Sequence, residues 1–68
     1  MLKLLKGEFM IEYKVVVYDK KTSEAGNTEL FRTAVLPEVN DKVILAKSGS
    51  YVVFERVFRN SKIFIHVE

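Results

Sequence analysis

The one imidazole of the chain is His66. As a general base it needs a nucleophile and an orienting carboxylate within hydrogen-bond reach. Two carboxylates suit its position. Glu68 lies two residues on, hence on the same face of a strand, and Glu55 stands opposite if the last two strands form a hairpin. No nucleophile completes the set, and a His–Glu pair is also what neighbouring strands place on a surface for cross-strand charge pairing. The same pair supplies too few ligands for a firm metal site. The three glycines, Gly7, Gly26 and Gly49, are scattered and build no phosphate loop. The nine acidic residues show no close pair suited to acid–base work. The expectation is a protein with no catalytic residues, no cofactor and no metal.

The basic and aromatic residues offer more. Arg32, Arg56, Arg59 and Lys62, taken with Phe31, Phe54 and Phe64, are the residue types of a stacking platform with a phosphate-binding rim. The competing reading puts Phe31, Phe54 and Phe58 in the core, where aromatic side chains dominate small domains, and leaves the cations as solvated guards of strand edges. A third reading gathers Val39, Ile44 and Phe64 into an apolar patch that docks on another chain or on a second copy. The residues expected to touch a partner are Arg32, Arg59, Lys62, Phe64 and His66.

Strands must position these residues. Ile11–Tyr18 is β-branched and aromatic and reads as a strand. Its alternation sets Ile11, Tyr13, Val15 and Val17 on one face. Asp19–Thr28 is polar and rich in turn formers, and reads as a long loop. Glu29–Leu36 is a second strand, halted by Pro37. Lys42–Lys47 is a third, Tyr51–Phe58 a fourth and Ile63–Glu68 a fifth. With Asn60-Ser61 as a two-residue loop, Arg59 falls opposite Lys62 and Phe58 opposite Ile63. Val52, Phe54, Arg56 and Phe58 then share a face with Ile63, Ile65 and Val67, where Arg56 is the misfit. Two arrangements relieve it. Either Arg56 reaches water at an edge, or a bulge near Glu55 reverses the alternation so that Tyr51, Val53 and Val57 point inward.

Length bounds the rest. The chain has 68 residues, enough for one domain with a modest core. It has no cysteine, so no disulfide staples that core, and with one histidine a structural zinc is excluded. The net charge of +2 is mild and permits nucleic-acid binding without arguing for it. The longest apolar runs, Val15–Tyr18 among them, are far below the ~20 residues of a membrane span. The basic, apolar Met1–Lys6 lacks the h-region of a secretory signal, so a cytoplasmic protein is expected. Lys6-Gly7-Glu8-Phe9-Met10 can be encoded by a purine-rich, ribosome-binding-like string just before an ATG. Residues 1–9 are therefore read as a translated leader before a domain at 10–68, with a first strand or a helical turn as the alternative.

The residues from Pro37 to Val67 resemble the SH3-like small-barrel pattern. The pattern's proline is Pro37 and its Val-Gly-Asp turn is Val39-Asn40-Asp41, with asparagine replacing glycine. Its strands follow at Val43 and Leu45, at Tyr51 and Val53, and at Ile63, Ile65 and Val67. Asparagine is the next best residue for a left-handed backbone position. The resemblance implies a five-stranded, all-β, antiparallel small barrel or strongly bent sheet, with Asp19–Thr28 as the long first loop. It implies a non-enzymatic binding module acting by protein–protein contact, as a homo-oligomer or as an accessory protein of a phage or mobile element. A single-stranded nucleic-acid binder is the alternative.

Overall fold

The computed structural model describes residues 10–46 and 48–68. The leader read at Met1–Phe9 and the last residue expected of the third strand, Lys47, lie outside them. Five strands follow in chain order: β1 (Ile11–Tyr18), β2 (Ala25–Thr33), β3 (Lys42–Leu45), β4 (Gly49–Arg59) and β5 (Lys62–Val67). They form one mixed sheet in the order β2-β1-β5-β4-β3, curled into a half-barrel. The all-β, five-stranded bent sheet expected from the sequence is what the chain builds. One pairing departs from the antiparallel expectation, for β1 and β5 run parallel, with Val15 beside Ile65 and Val17 beside Val67. Parallel neighbours need a long crossover. Here β2, β3 and β4 supply it.

The alternation read for β1 holds. Tyr13 and Val15 are buried, and Ile11 and Val17 pack against the same core. The concave face closes over them with Val43 and Leu45 of β3, Val53 of β4, and Ile65 and Val67 of β5. Ile65, Val15, Val53 and Val67 are wholly removed from water. Each contributes about 1.5–3 kcal/mol by burial.

Asp19 sets the first hairpin. Its carboxylate accepts from the Lys21 and Thr22 amides at 2.8 and 3.2 Å. Its backbone closes the loop on both sides, the Asp19 amide donating to the Glu24 carbonyl and the Ser23 amide to the Asp19 carbonyl. Ser23 takes the left-handed φ of 62°. The connection is therefore Asp19–Glu24, and the long loop expected over Asp19–Thr28 is corrected. Once the turn is closed, Ala25–Thr28 fall into register with β1 whatever their weak strand propensity. The strand also ends earlier than Leu36. The Thr33 hydroxyl donates to the Val35 carbonyl at 2.7 Å and accepts from the Tyr13 hydroxyl at 3.0 Å, so the chain turns out of the ladder there.

The turn before β3 forms as its residues imply. The Asp41 amide donates to the Glu38 carbonyl at 3.0 Å, and the Asp41 carboxylate accepts from the Glu38 amide at 2.8 Å. Asn40 sits at φ 82°, the positive-φ position of such a turn.

The last hairpin has the register read from the sequence, Arg59 opposite Lys62 and Phe58 opposite Ile63 around Asn60-Ser61, with Asn60 at φ 55°. A bulge separates Val53, which pairs with Val67, from Glu55, which pairs with His66. Phe54 is the extra residue. The bulge turns Tyr51 and Val53 inward, as the second arrangement required, and puts Val52 and Phe54 outside. Val57 does not follow. It lies beyond the bulge, opposite Phe64, on the outer face. Arg56 and Phe58 share the concave side with Ile65 and Ile63, but the core does not reach the tip of the hairpin. Both are exposed, and the Arg56 guanidinium lies 5.7 Å from the Phe58 ring centre. Phe54 and Phe58 are thus no part of the core, whereas Phe31 packs against it.

Candidate functional site

The outer, convex face of the sheet can be read in rows across the strands, because each ladder gives the neighbours of each residue. The central row is Leu30 on β2, Lys14 on β1, Phe64 on β5 and Val57 on β4. The next row is Thr28, Val16, His66 and Glu55. Toward the hairpin tip, Arg32 pairs with Glu12, and Lys62 with Arg59. Side chains in a row are close neighbours, so the face carries an apolar middle of Leu30, Phe64, Val57 and Val16 beside a basic end. Val16 is buried, and Phe64 and Val57 are half-buried.

All five residues expected at a partner surface lie on this face. Arg59, Lys62, Phe64 and His66 come together on the β4–β5 hairpin. Arg32 stands apart on β2, where its guanidinium pairs with the Glu12 carboxylate at 3.2 Å. Both of those side chains are well exposed, so the pair adds little stability. Lys14, Lys62 and Arg59 make no ion pair among the described residues. They surround Phe64, and a cleft of about 430 Å³ opens there between the first residues of β5 and β1, where Glu12, Lys14, Leu30, Ser61, Lys62 and Phe64 are among the lining residues.

His66 meets the carboxylate expected of it. Its Nδ1 lies 3.1 Å from the Glu55 Oε1. Its ring packs against both Tyr18 and Phe54, with centres 4.7 and 6.0 Å away, and Tyr18 and Phe54 meet edge to face at 5.6 Å. The hydroxyl groups of Ser and Thr make no hydrogen bond to the imidazole. Among the described residues no three His, Asp or Glu side chains converge as a metal would require. The arrangement suits a packed aromatic cluster with one charge-assisted hydrogen bond, holding the bulge of β4 against β5.

The apolar patch of Val39, Ile44 and Phe64 does not form as one surface. Val39 lies in the turn before β3 and Ile44 on β3 at the far edge of the sheet, while Phe64 sits on β5, the third strand from that edge. The residues that join Phe64 instead are Lys14, Leu30 and Val57. The signal for Lys14 lay in the alternation of β1, which puts Glu12, Lys14, Val16 and Tyr18 on the face opposite Tyr13 and Val15. Two apolar residues among those four already mark an outer face that is not wholly polar. No protein-family model, no curated protein and no solved structure matches the chain, so the resemblance to SH3-like barrels stands on the motif residues between Pro37 and Val67 alone.

Proposed function

We propose that this protein is a small, non-enzymatic binding module that works through protein–protein contact on the outer face of its sheet. The observation that carries the reading is the row of Leu30, Lys14, Phe64 and Val57. Among the described residues no other strand covers the face on which its apolar members lie, and three cations without ion pairs rim it. Protein–protein interfaces combine an apolar centre with a polar rim. A partner with a small apolar projection and acidic neighbours fits it.

The same cations favour a second reading, binding of a single nucleic-acid strand by Phe64 with Lys14, Lys62 and Arg59. Two features weigh against it. The other rings of the face, Tyr18, His66 and Phe54, pack at steep angles on one another and do not present parallel faces to successive bases. Glu12 lines the same cleft as Lys14 and Lys62, Glu55 stands on the same face, and both repel phosphate.

The test immobilises the whole chain and challenges it with bacterial lysate, with and without nuclease, beside Phe64→Asp and Ile44→Asp variants. The expected result is a protein retained after nuclease, lost with Phe64→Asp and kept with Ile44→Asp. Retention that vanishes with nuclease, or that Phe64→Asp leaves unchanged, overturns the proposal. For the nucleic-acid reading the probe is a labelled oligothymidylate. Three neutralised phosphates give a slope of roughly −2 for log affinity against log salt.

A further inference from the structure

Among the described residues the half of β4 beyond the bulge has one neighbour strand, β5. β3 pairs with Gly49–Val52, and the turn before it adds two hydrogen bonds to Val53, the Asn40 amide donating to the Val53 carbonyl and the Val53 amide to the Asp41 carbonyl. From Glu55 to Arg59 the side of β4 away from β5 has no partner strand among the described residues. An open edge of this kind is a template for another strand.

We infer that this edge pairs with the same edge of a second copy, antiparallel about a two-fold axis at Val57, and joins two sheets into one. Three observations carry this. The first is charge. Glu55-Arg56-Val57-Phe58-Arg59 placed against itself about Val57 sets Glu55 opposite Arg59 of the second copy, and Arg59 opposite its Glu55. An edge guarded against self-pairing bears one sign of charge or a proline. This one bears opposite signs at positions equidistant from its centre, the self-complementarity that a two-fold interface demands.

The second is hydrogen-bond phase. In an antiparallel hairpin closed by the two-residue loop Asn60-Ser61, the closing pair Arg59–Lys62 is hydrogen-bonded and the pairs then alternate. Arg59, Val57 and Glu55 therefore turn their amides and carbonyls toward β5, while Phe58 and Arg56 turn theirs toward the open side. About an axis at Val57, Arg56 faces Phe58 of the second copy, and the two can exchange both of their N–H···O bonds. Val57 faces its own copy in a non-hydrogen-bonded pair, where side chains approach most closely. An axis at Arg56 instead sets two arginines face to face.

The third is apolar continuity. The outer-face row ends at Val57, which meets Val57 of the second copy across the seam, while Phe64 lies one strand back from it. On the concave side the exposed Phe58 lies beside Arg56 of the second copy, the residue type it already meets within its own chain. The contact is short, at the low end of interface sizes, and a weak, concentration-dependent dimer follows. It does not depend on which partner the outer face takes, since it uses the edge and not Phe64.

Sedimentation equilibrium of the full chain from micromolar to millimolar concentration tests this, with circular dichroism confirming that each variant folds. Wild type is expected to dimerise. Glu55→Arg and Arg59→Glu each place like charges opposite one another and raise the dissociation constant by about tenfold or more. The double variant carrying both changes restores opposite pairs and returns the constant to within about threefold of wild type. Phe58→Pro removes an amide on the open side and is expected to leave a monomer. A wild type that is monomeric at millimolar concentration overturns the inference. So does a dimer that either single swap leaves unchanged, or a double variant no tighter than the single ones. Phe64→Asp is expected to leave the dimer intact, so failure of the outer-face proposal and failure of this one read out separately.

Discussion

Two isoleucines of this chain differ mainly in which way the sheet points them. Ile65 on β5 has no exposed surface, and Ile44 on β3 is 70% exposed. Replacing each by alanine removes the same atoms and lowers strand propensity alike, by at most ~1 kcal/mol. At Ile65 three buried carbon groups are lost at ~0.8 kcal/mol each. The neighbours Val15 and Arg56 flank Ile65 from β1 and β4 across a central strand, so the site collapses poorly. A cavity term brings the loss to about 3–4 kcal/mol. A domain of this length has roughly 3–10 kcal/mol to lose. Urea unfolding followed by circular dichroism is the assay. At a slope of about 1 kcal/mol per molar for a small protein, the Ile65→Ala midpoint falls by roughly 3 M, or the variant is unfolded in water. Ile44→Ala shifts the midpoint by less than about 1 M on the same slope. Equal shifts for the two variants, or a change at Ile65 under about 1 kcal/mol, refute the assignment of faces. The error would then lie in the bulge at Phe54 or in the parallel register of β1 with β5.

Three further outcomes test the turns and the bulge. Asn40→Ala forces a Cβ-bearing residue without a polar side chain into φ 82° and lowers stability by about 1–2 kcal/mol, while Asn40→Gly leaves it level or higher in the same urea titration. Asp19→Ala removes the acceptor of the Lys21 and Thr22 amides and costs about 1 kcal/mol. Faster amide exchange at Lys21 and Thr22 in hydrogen-exchange spectra marks the loss. Deleting Phe54 removes the extra residue of the bulge and leaves Val53 opposite Val67 and Glu55 opposite His66 in an unbroken ladder. That variant is expected to keep Val53 buried and to unfold cooperatively, and a variant that does not fold counts against Phe54 as the extra residue.

Much of this protein is set by short-range rules that a sequence displays. The alternation of Ile11 to Val17 has a period of two, and one half of it is apolar throughout. Asn40 tolerates a positive φ between Val39 and Asp41. Asn60-Ser61 sits between apolar runs and closes a hairpin whose register then follows. From these come the all-β class, the strand count and the placing of Arg59, Lys62, Phe64 and His66 on one face.

Three things were decided only by tertiary structure. Phe54 is the extra residue of a bulge, and a bulge is chosen by which face the whole sheet buries. Nothing local in Tyr51–Phe58 distinguishes the two alternations. Ala25–Thr28 read as loop by residue type and became strand because β1, already committed, offered them a ladder. The parallel pairing of β1 with β5 joins the two strands farthest apart in the chain, where no turn or spacing links them. That pairing brings Lys14 beside Phe64 and completes the outer face. His66 carried the most suggestive chemistry in the sequence, and the fold gave it a carboxylate and two aromatic neighbours. The open edge beside it, from Glu55 to Arg59, exists because β3 ends its pairing at Val52.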